Sequence, residues 1–306
     1  MVSGHDPALL SVIAAVPQWA GLEPEVTPIT LGITNRNFRV DIGGESFVVR
    51  LSGRDTELLG IDRSTEYEAA SAAAAAGVAP EVFAYLPEHR ALITRFIVAD
   101  PLPEADLERA DVLQTVVASI KAIHAIARIP SRFDPFRVVR EYRETAESRG
   151  VPIPHAFHDA LAKADEIEGA FRASPIPQRS CHNDLLNANF LVRDGHVFIV
   201  DYEYAGMGDP FFDLGNLSIN NGMSADAQQM LLEQYFGRAT PANAARLQLM
   251  RIMSDFREAM WGVVQQALST LDFDYVEYAG RHFARCLDTA GDTRFVSWLK
   301  NSAGEI

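Results

Sequence analysis

The chain has 306 residues, which at roughly 100–200 residues per domain allows two domains or one domain built as two lobes. Apolar types make up 48% and charged types 22%, a globular balance that excludes disorder, collagen and coiled coil as global descriptions. Lys and Arg number 27 against 41 Asp and Glu, so the net charge is −14. With no basic cluster, nucleic acid and anionic membranes are poor partners, and a cationic or metal-complexed ligand suits the chain better.

Two cysteines, Cys181 and Cys286, cannot build a disulfide framework, and neither stands in a Cys-x-x-Cys pair. Reduced thiols are expected. Leu9 to Val16 is apolar, but Met1 to Pro7 lacks Lys and Arg, so the segment reads as a helix and not as a signal peptide. No stretch reaches the roughly 18 apolar residues of a membrane span. A soluble, cytoplasmic protein is the expectation.

Val26–Leu31, Asn37–Ile42 and Phe47–Leu51 read as strands, the last two joined by Gly43-Gly44. Asp62–Ala76 reads as a helix stopped by Gly77 and Pro80. Val82–Tyr85 and Ala91–Phe96 read as two more strands. Pro101 and Pro103 then favour an extended connector, which places a lobe boundary between residues 1–98 and 99–306. Beyond it Glu104–Ala127, Tyr142–Arg149 and Phe157–Ala173 read as helices. Loops and short strands follow Pro177, and helix resumes after Ser224. The fold class is α+β: a small N-terminal lobe with a sheet, a larger and mostly helical C-terminal lobe, and a ligand in the cleft between them.

The informative stretch runs from Cys181 to Asp201. Asp194-Gly195 between two β-rich runs is a strong signal for a two-residue hairpin turn. That turn sets Arg193 against His196, Leu191 against Phe198, Phe190 against Ile199 and Asn189 against Val200. Asn189 and Asp201 then reach the open end of the hairpin on strands about 5 Å apart. Asp184, five residues before Asn189, and Glu203 can crowd the same mouth. Mg²⁺ takes one or two protein oxygens together with phosphate oxygens, which suits Asn189 and Asp201. Asp184 then suits the base that orients a hydroxyl in phosphoryl transfer, since kinases use the same order of His, Asp, Asn and a later Asp. His182 reads as a packing residue that hydrogen-bonds the loop.

These runs, with Gly208 to Leu214, resemble the aminoglycoside phosphotransferase and choline kinase superfamily, and within it are most similar to bacterial choline/ethanolamine kinases. Gly32 to Phe38 is similar to their phosphate-covering loop and Phe47 to Gly53 to their third strand. Trp261-Gly262 and Asp272 to Ala279 are similar to their C-terminal substrate region. The resemblance spans about residue 25 to about 285. It implies a protein-kinase-like two-lobed fold with nucleotide bound in the N-terminal lobe, and transfer of the γ-phosphate of ATP to a small-molecule hydroxyl. It implies Asp184 as base, Asn189 and Asp201 on magnesium, Glu203 assisting there, and Asp213 bracing the catalytic loop. Adenine would rest against backbone groups of Arg95, Phe96, Ile97 and Val98. A homodimer stays open.

In the small lobe, the turn through Thr34, Asn35 and Asn37 can bring backbone N–H groups and side chains to phosphates. Arg50 lies mid-strand in an apolar run and needs a partner, Glu66 or Glu68; the resemblance favours Glu66. On the acceptor side, aromatic faces and carboxylates hold quaternary ammonium groups, and Tyr202, Tyr204, Phe211, Trp261 and Tyr278 are candidates. Trp261 and Tyr278 match the family's aromatic cage, whereas Val264 stands where relatives often carry a second Trp, which points to a smaller or less cationic acceptor. Choline, ethanolamine or a related amino alcohol is the leading expectation. An aminoglycoside or other hydroxyl kinase, and a catalytically silent nucleotide-binding regulator, are the alternatives.

Overall fold

The computed structural model describes residues 6–29, 35–53, 55–269 and 271–306. Asp6 caps α1 (Pro7–Ala15), and Leu9 and Val12 of that helix are buried with Trp19 against one face of a sheet. The sheet is antiparallel and contains β1 (Glu25–Ile29), β2 (Arg36–Ile42) and β3 (Glu45–Leu51), all on the predicted segments. Phe38, Val40, Ile42, Phe47, Val49 and Leu51 alternate onto the α1 face, as period-two patterning requires. Arg50 and Asn37 sit opposite each other in register and share the other face.

Helix α2 (Arg63–Ala75) starts where the Asp62 carboxylate accepts the Thr65 N–H at 2.8 Å. Its buried Ala69, Ala70 and Ala73 leave little bulk to keep it from its neighbours. β4 (Val82–Leu86) and β5 (Ala91–Arg95) complete the sheet in the order β1-β2-β3-β5-β4.

After Arg95 the chain crosses to β6 (Asp100–Pro101). The expected single helix over 104–127 is divided: a 3₁₀ turn covers Glu104–Glu108, Arg109 is extended, and α3 covers Ala110–His124. α4 (Pro135–Ser148) starts seven residues before the expected Tyr142, because Asp134 caps it and Pro135 occupies its first turn. α5 (Ala156–Ala173) and β7 (Arg179–Cys181) follow. The hairpin of β8 (Phe190–Arg193) and β9 (His196–Ile199) has the expected register, Arg193 facing His196 and Phe190 facing Ile199. Asp194 and Gly195 both take positive φ, as the primed turn demands. β6 pairs with β8, so the connector is stitched to the hairpin.

β10 (Gly206–Gly208) pairs with β7, and the helical lobe is completed by α6 (Pro210–Asn220), α7 (Ala225–Phe236), α8 (Pro241–Leu268), α9 (Tyr275–Ala290) and α10 (Phe295–Asn301). Helix α8 is buried along most of its length and serves as the lobe's axis. Gly215 of α6 touches it so closely that a Cβ there would stand 2.8 Å from the Met250 carbonyl carbon. No helix among the described residues is long and apolar enough to cross a membrane.

Candidate active site

The loop from His182 to Asn189 hangs between β7 and β8, and its backbone is held by side chains of α6. Asp213 accepts the N–H of His182 at 2.8 Å and of Asn183 at 2.6 Å. His124 meets Asp213 through Nε2 at 2.9 Å and the Tyr235 hydroxyl through Nδ1 at 2.6 Å. Burial pushes the Asp213 carboxyl up, but His124 and the donated N–H groups outweigh it and leave the group below its ordinary value. Two residues on from Asn183, Leu185 donates its N–H to Asn216 at 2.5 Å. Asp213 thus braces the loop from α6.

His182 is wholly buried, and its partners fix its tautomer. Nε2 must donate, because it faces the Val200 carbonyl at 3.0 Å; Nδ1 must accept, because it faces the Asp184 N–H at 3.2 Å. Burial lowers its pKa, which keeps the ring neutral. The ring pins the start of the loop to the end of β9, a positioning role as expected.

The hairpin brings the chemical residues together. The Val200 N–H donates to the Asn189 carbonyl at 3.0 Å, so the pairing extends to the open end. Asn189 Nδ2 donates to the Asp184 carbonyl at 2.9 Å and lies 3.4 Å from the carboxylate Oδ2. This turns Asn189 Oδ1 the opposite way. The other Asp184 oxygen, Oδ1, faces Arg257 Nη1 at 3.9 Å. Burial is the main reason that the Asp184 pKa lies well above the carboxylate range. Arg257 pulls it down, while Glu258, Asp201 and Glu203 push it further up.

Asp201 adopts φ +69° and Asn183 φ +66°, conformations that Asp and Asn tolerate better than other side chains and that gather at functional loops. Asp201 is 34% exposed, and its Oδ1 accepts from Arg50 Nη1 at 2.7 Å. Arg50 also pairs with Glu66, as expected, so one guanidinium joins β3, α2 and the end of the hairpin. Asp201 Oδ2 and Asn189 Oδ1 accept no hydrogen bond among the described residues. Two hard oxygens left over in an acidic mouth fit a magnesium ion.

Glu203 lies close enough to Asp201 and Asp184 for their charges to act on one another, and one of its oxygens is already engaged. Its Oε2 accepts from Asn35 Nδ2 at 2.9 Å and Arg63 Nη1 at 3.0 Å. Arg63 also reaches Glu66 at 2.7 Å and Asn35 Oδ1 at 3.1 Å. Glu203 is therefore tied to the small lobe through Asn35 and Arg63. Its pKa is raised, by burial first and by Asp201 next, against the pull of Arg63 and Arg50. Asn37 lies across from Arg50 on the face turned to this network, whereas Thr34 lies outside the described residues.

At the connector, the Arg95 side chain pairs with Glu45 at 2.5 Å and covers the rings of Phe47 and Phe83. It thus occupies the α1 face and leaves only its backbone toward the cleft. The Phe96 N–H donates to the Ser46 carbonyl at 2.9 Å, Ile97 is half-buried, and Val98 is 73% exposed.

The structure divides the aromatic candidates. Trp261 and Tyr278 meet edge to face at 5.5 Å, and Tyr275 lies 5.9 Å from Trp261. Trp261 Nε1 donates to the Tyr204 hydroxyl at 3.0 Å, and the Tyr278 hydroxyl donates to Glu258 at 2.8 Å. Gly262 makes this junction: a Cβ there would stand 2.9 Å from Tyr278 Cδ1. Phe211 does not join them. It lies next to the capped start of α6, is fully buried, and stacks on Phe236 at 5.1 Å. Tyr202 is also buried, packed edge-on against His182.

Sequence reasoning missed Arg63, Arg257 and Glu258. The spacing of Arg63 to Glu66 on a capped helix was a signal for the first. For the others the signal was an Arg-Glu pair set into the apolar run from Phe256 to Val264, one helical turn before Trp261.

An antiparallel small lobe, a stitched connector, a helical lobe and a braced Asp–Asn–Asp loop define a kinase-like phosphoryl-transfer scaffold. The family model described as "Phosphotransferase enzyme family" matches residues 25–249, and the chain belongs to that family. Protein LicA of Haemophilus influenzae is 29% identical over 230 residues, covering 71% of this chain and 65% of that relative, just under two thirds of its length. Ethanolamine kinase 2 of Homo sapiens is 27% identical over 307 residues, covering 89% and 78%. The crystal structure of a choline/ethanolamine kinase family protein from Mesorhizobium loti superposes with a TM-score of 0.84 at 30% identity, covering 97% and 98%.

Proposed function

We propose that this phosphotransferase is a magnesium- and ATP-dependent kinase whose acceptor is the hydroxyl of an amino alcohol, the class to which choline and ethanolamine belong. One observation carries the reading: the Asp184 carboxylate stands with one oxygen toward Asn189, and the other toward the wall of Arg257, Glu258, Trp261 and Tyr278. The names of the relatives support the acceptor class, and nucleotide use with free, buried Cys181 and Cys286 suits a cytoplasmic enzyme.

In the transfer, the acceptor oxygen bonds to the γ-phosphorus of ATP as the bond from that phosphorus to the β–γ bridging oxygen breaks, and ADP leaves. Asp184 orients the hydroxyl and takes its proton. Asn189 and Asp201 would hold Mg²⁺, which neutralises phosphate charge when bound. Asn35, Asn37 and Arg50 would face the phosphates, with Glu66 fixing Arg50. The backbone of Arg95, Phe96, Ile97 and Val98 would seat the adenine. Glu203, with its Oε2 held by Asn35 and Arg63, would assist at the ion.

The test is ATP consumption with a panel of hydroxyl compounds, run with wild type and Asp184→Asn. Wild type should turn over an amino alcohol, and the variant should lose about 10²–10⁴-fold in kcat while keeping its nucleotide affinity. Full activity in the variant, or no phosphorylated hydroxyl product with wild type, refutes the reading.

A further inference from the structure

The acceptor wall contains a cation of its own. Arg257 is 2% exposed, and its guanidinium carbon lies 4.1 Å over the Tyr204 ring. Nη1 donates to Glu258 at 2.5 Å and stands 3.9 Å from the base Asp184. This is the seat that an aromatic face and carboxylates would offer a quaternary ammonium, and the chain fills it itself. The neighbouring groups are engaged too: the Tyr204 hydroxyl by Trp261, and Glu258 by Tyr278.

The same guanidinium is left half-satisfied. Nε and Nη2 are buried and have no hydrogen-bond partner among the described residues. These two donors form one edge of the planar group, and their N–H bonds run parallel, which is the geometry that takes a carboxylate through two hydrogen bonds. Buried donors of a charged group are seldom left orphaned without a functional reason.

Resting on the reading of Asp184 as the base of a hydroxyl kinase, we propose that Arg257 is the specificity-determining residue and that the acceptor is a hydroxy acid of the amino-acid type, its carboxylate held by the free Arg257 edge. Its hydroxyl faces Asp184. A trimethylammonium group is excluded by charge and by occupancy. The transfer is unchanged: hydroxyl oxygen to γ-phosphorus, proton to Asp184, ADP leaving.

The experiment measures kcat/KM with Mg·ATP for serine, threonine, serine methyl ester, ethanolamine, choline and an aminoglycoside. The expected result is preference for a free amino acid over its methyl ester and over ethanolamine by about tenfold or more, since a site built around a paired charge rejects the analogue that lacks it. Arg257→Lys should raise KM for that acceptor by about tenfold or more, with KM for ATP unmoved, because Lys keeps the charge but loses the fork. The ester comparison needs no variant, so a poorly folded Arg257→Lys protein leaves the question decidable. Preference for choline, ethanolamine, the ester or the aminoglycoside overturns this inference and leaves the hydroxyl-kinase reading standing. Turnover of nothing in the panel overturns both.

Discussion

Removing the brace under the catalytic loop should cost stability in a graded way. In Asp213→Ala three buried donors lose their acceptor: the N–H groups of His182 and Asn183 and Nε2 of His124, at 2.8, 2.6 and 2.9 Å. Each buried donor left unmet costs about 1–3 kcal/mol, and water entering the vacated space returns part of it, so the expected loss is about 3–5 kcal/mol. For a chain of this size that is a fall in Tm on the order of 10 °C. Asp213→Asn keeps one accepting oxygen and sets an amide N–H₂ against a donor, so it should fall between wild type and Asp213→Ala. The sign of the pH dependence follows from the lowered Asp213 pKa. Its contribution is full above the value of an unfolded aspartate, about 3.9, and fades as pH falls through the lower folded value. The gap between wild type and Asp213→Asn should therefore hold at neutral pH and narrow only in strong acid. Thermal unfolding followed by circular dichroism at several pH values reads both effects. A shift under about 2 °C for Asp213→Ala, or a gap that closes already near neutrality, refutes the account of the brace.

Two further outcomes follow from the site. Asp201→Asn, chosen because Asn also tolerates the positive φ of this position, should weaken Mg·ATP binding about 10–100-fold by calorimetry; unchanged affinity and magnesium dependence would count against the metal assignment. Gly262→Ala forces a methyl against Tyr278 Cδ1, so it should destabilise by about 1–3 kcal/mol and raise the acceptor's KM more than that of ATP; equal effects on both would mean the junction only packs.

Local chemistry made the Asn189–Asp201 hairpin legible. A two-residue turn fixes hairpin register, so Asp194-Gly195 was enough to bring Asn189 and Asp201 together, and a charge in mid-strand announced the Arg50–Glu66 pair. The acceptor side was less legible because helices hide their partners. Arg63 and Arg257 look like ordinary helical charges until the fold buries them between elements far apart in sequence. Phe211 misled for the opposite reason. An aromatic residue beside acidic ones suggests a cage, but the Asp209 cap starts a helix there and turns the ring into the core against Phe236. The start of α4 was written at Asp134-Pro135 and was overshadowed by the apolar residues further on.

Charge balance ties the two halves of the cleft together. Among the described residues, Glu66, Asp184, Asp201, Glu203 and Glu258 are paired with Arg50, Arg63 and Arg257 alone. Five formal negative charges against three positive leave the mouth short by the charge of one divalent ion. Burial first, and the neighbouring carboxylates after it, raise the pKa of both Asp184 and Glu203. Positive charge arriving in this space therefore favours ionised Asp184, the form that can take a proton. The same imbalance explains Arg50: held by Glu66 and reaching Asp201, it spans the lobes and supplies part of the missing charge from the small lobe, so the geometry of the mouth depends on where that one guanidinium rests.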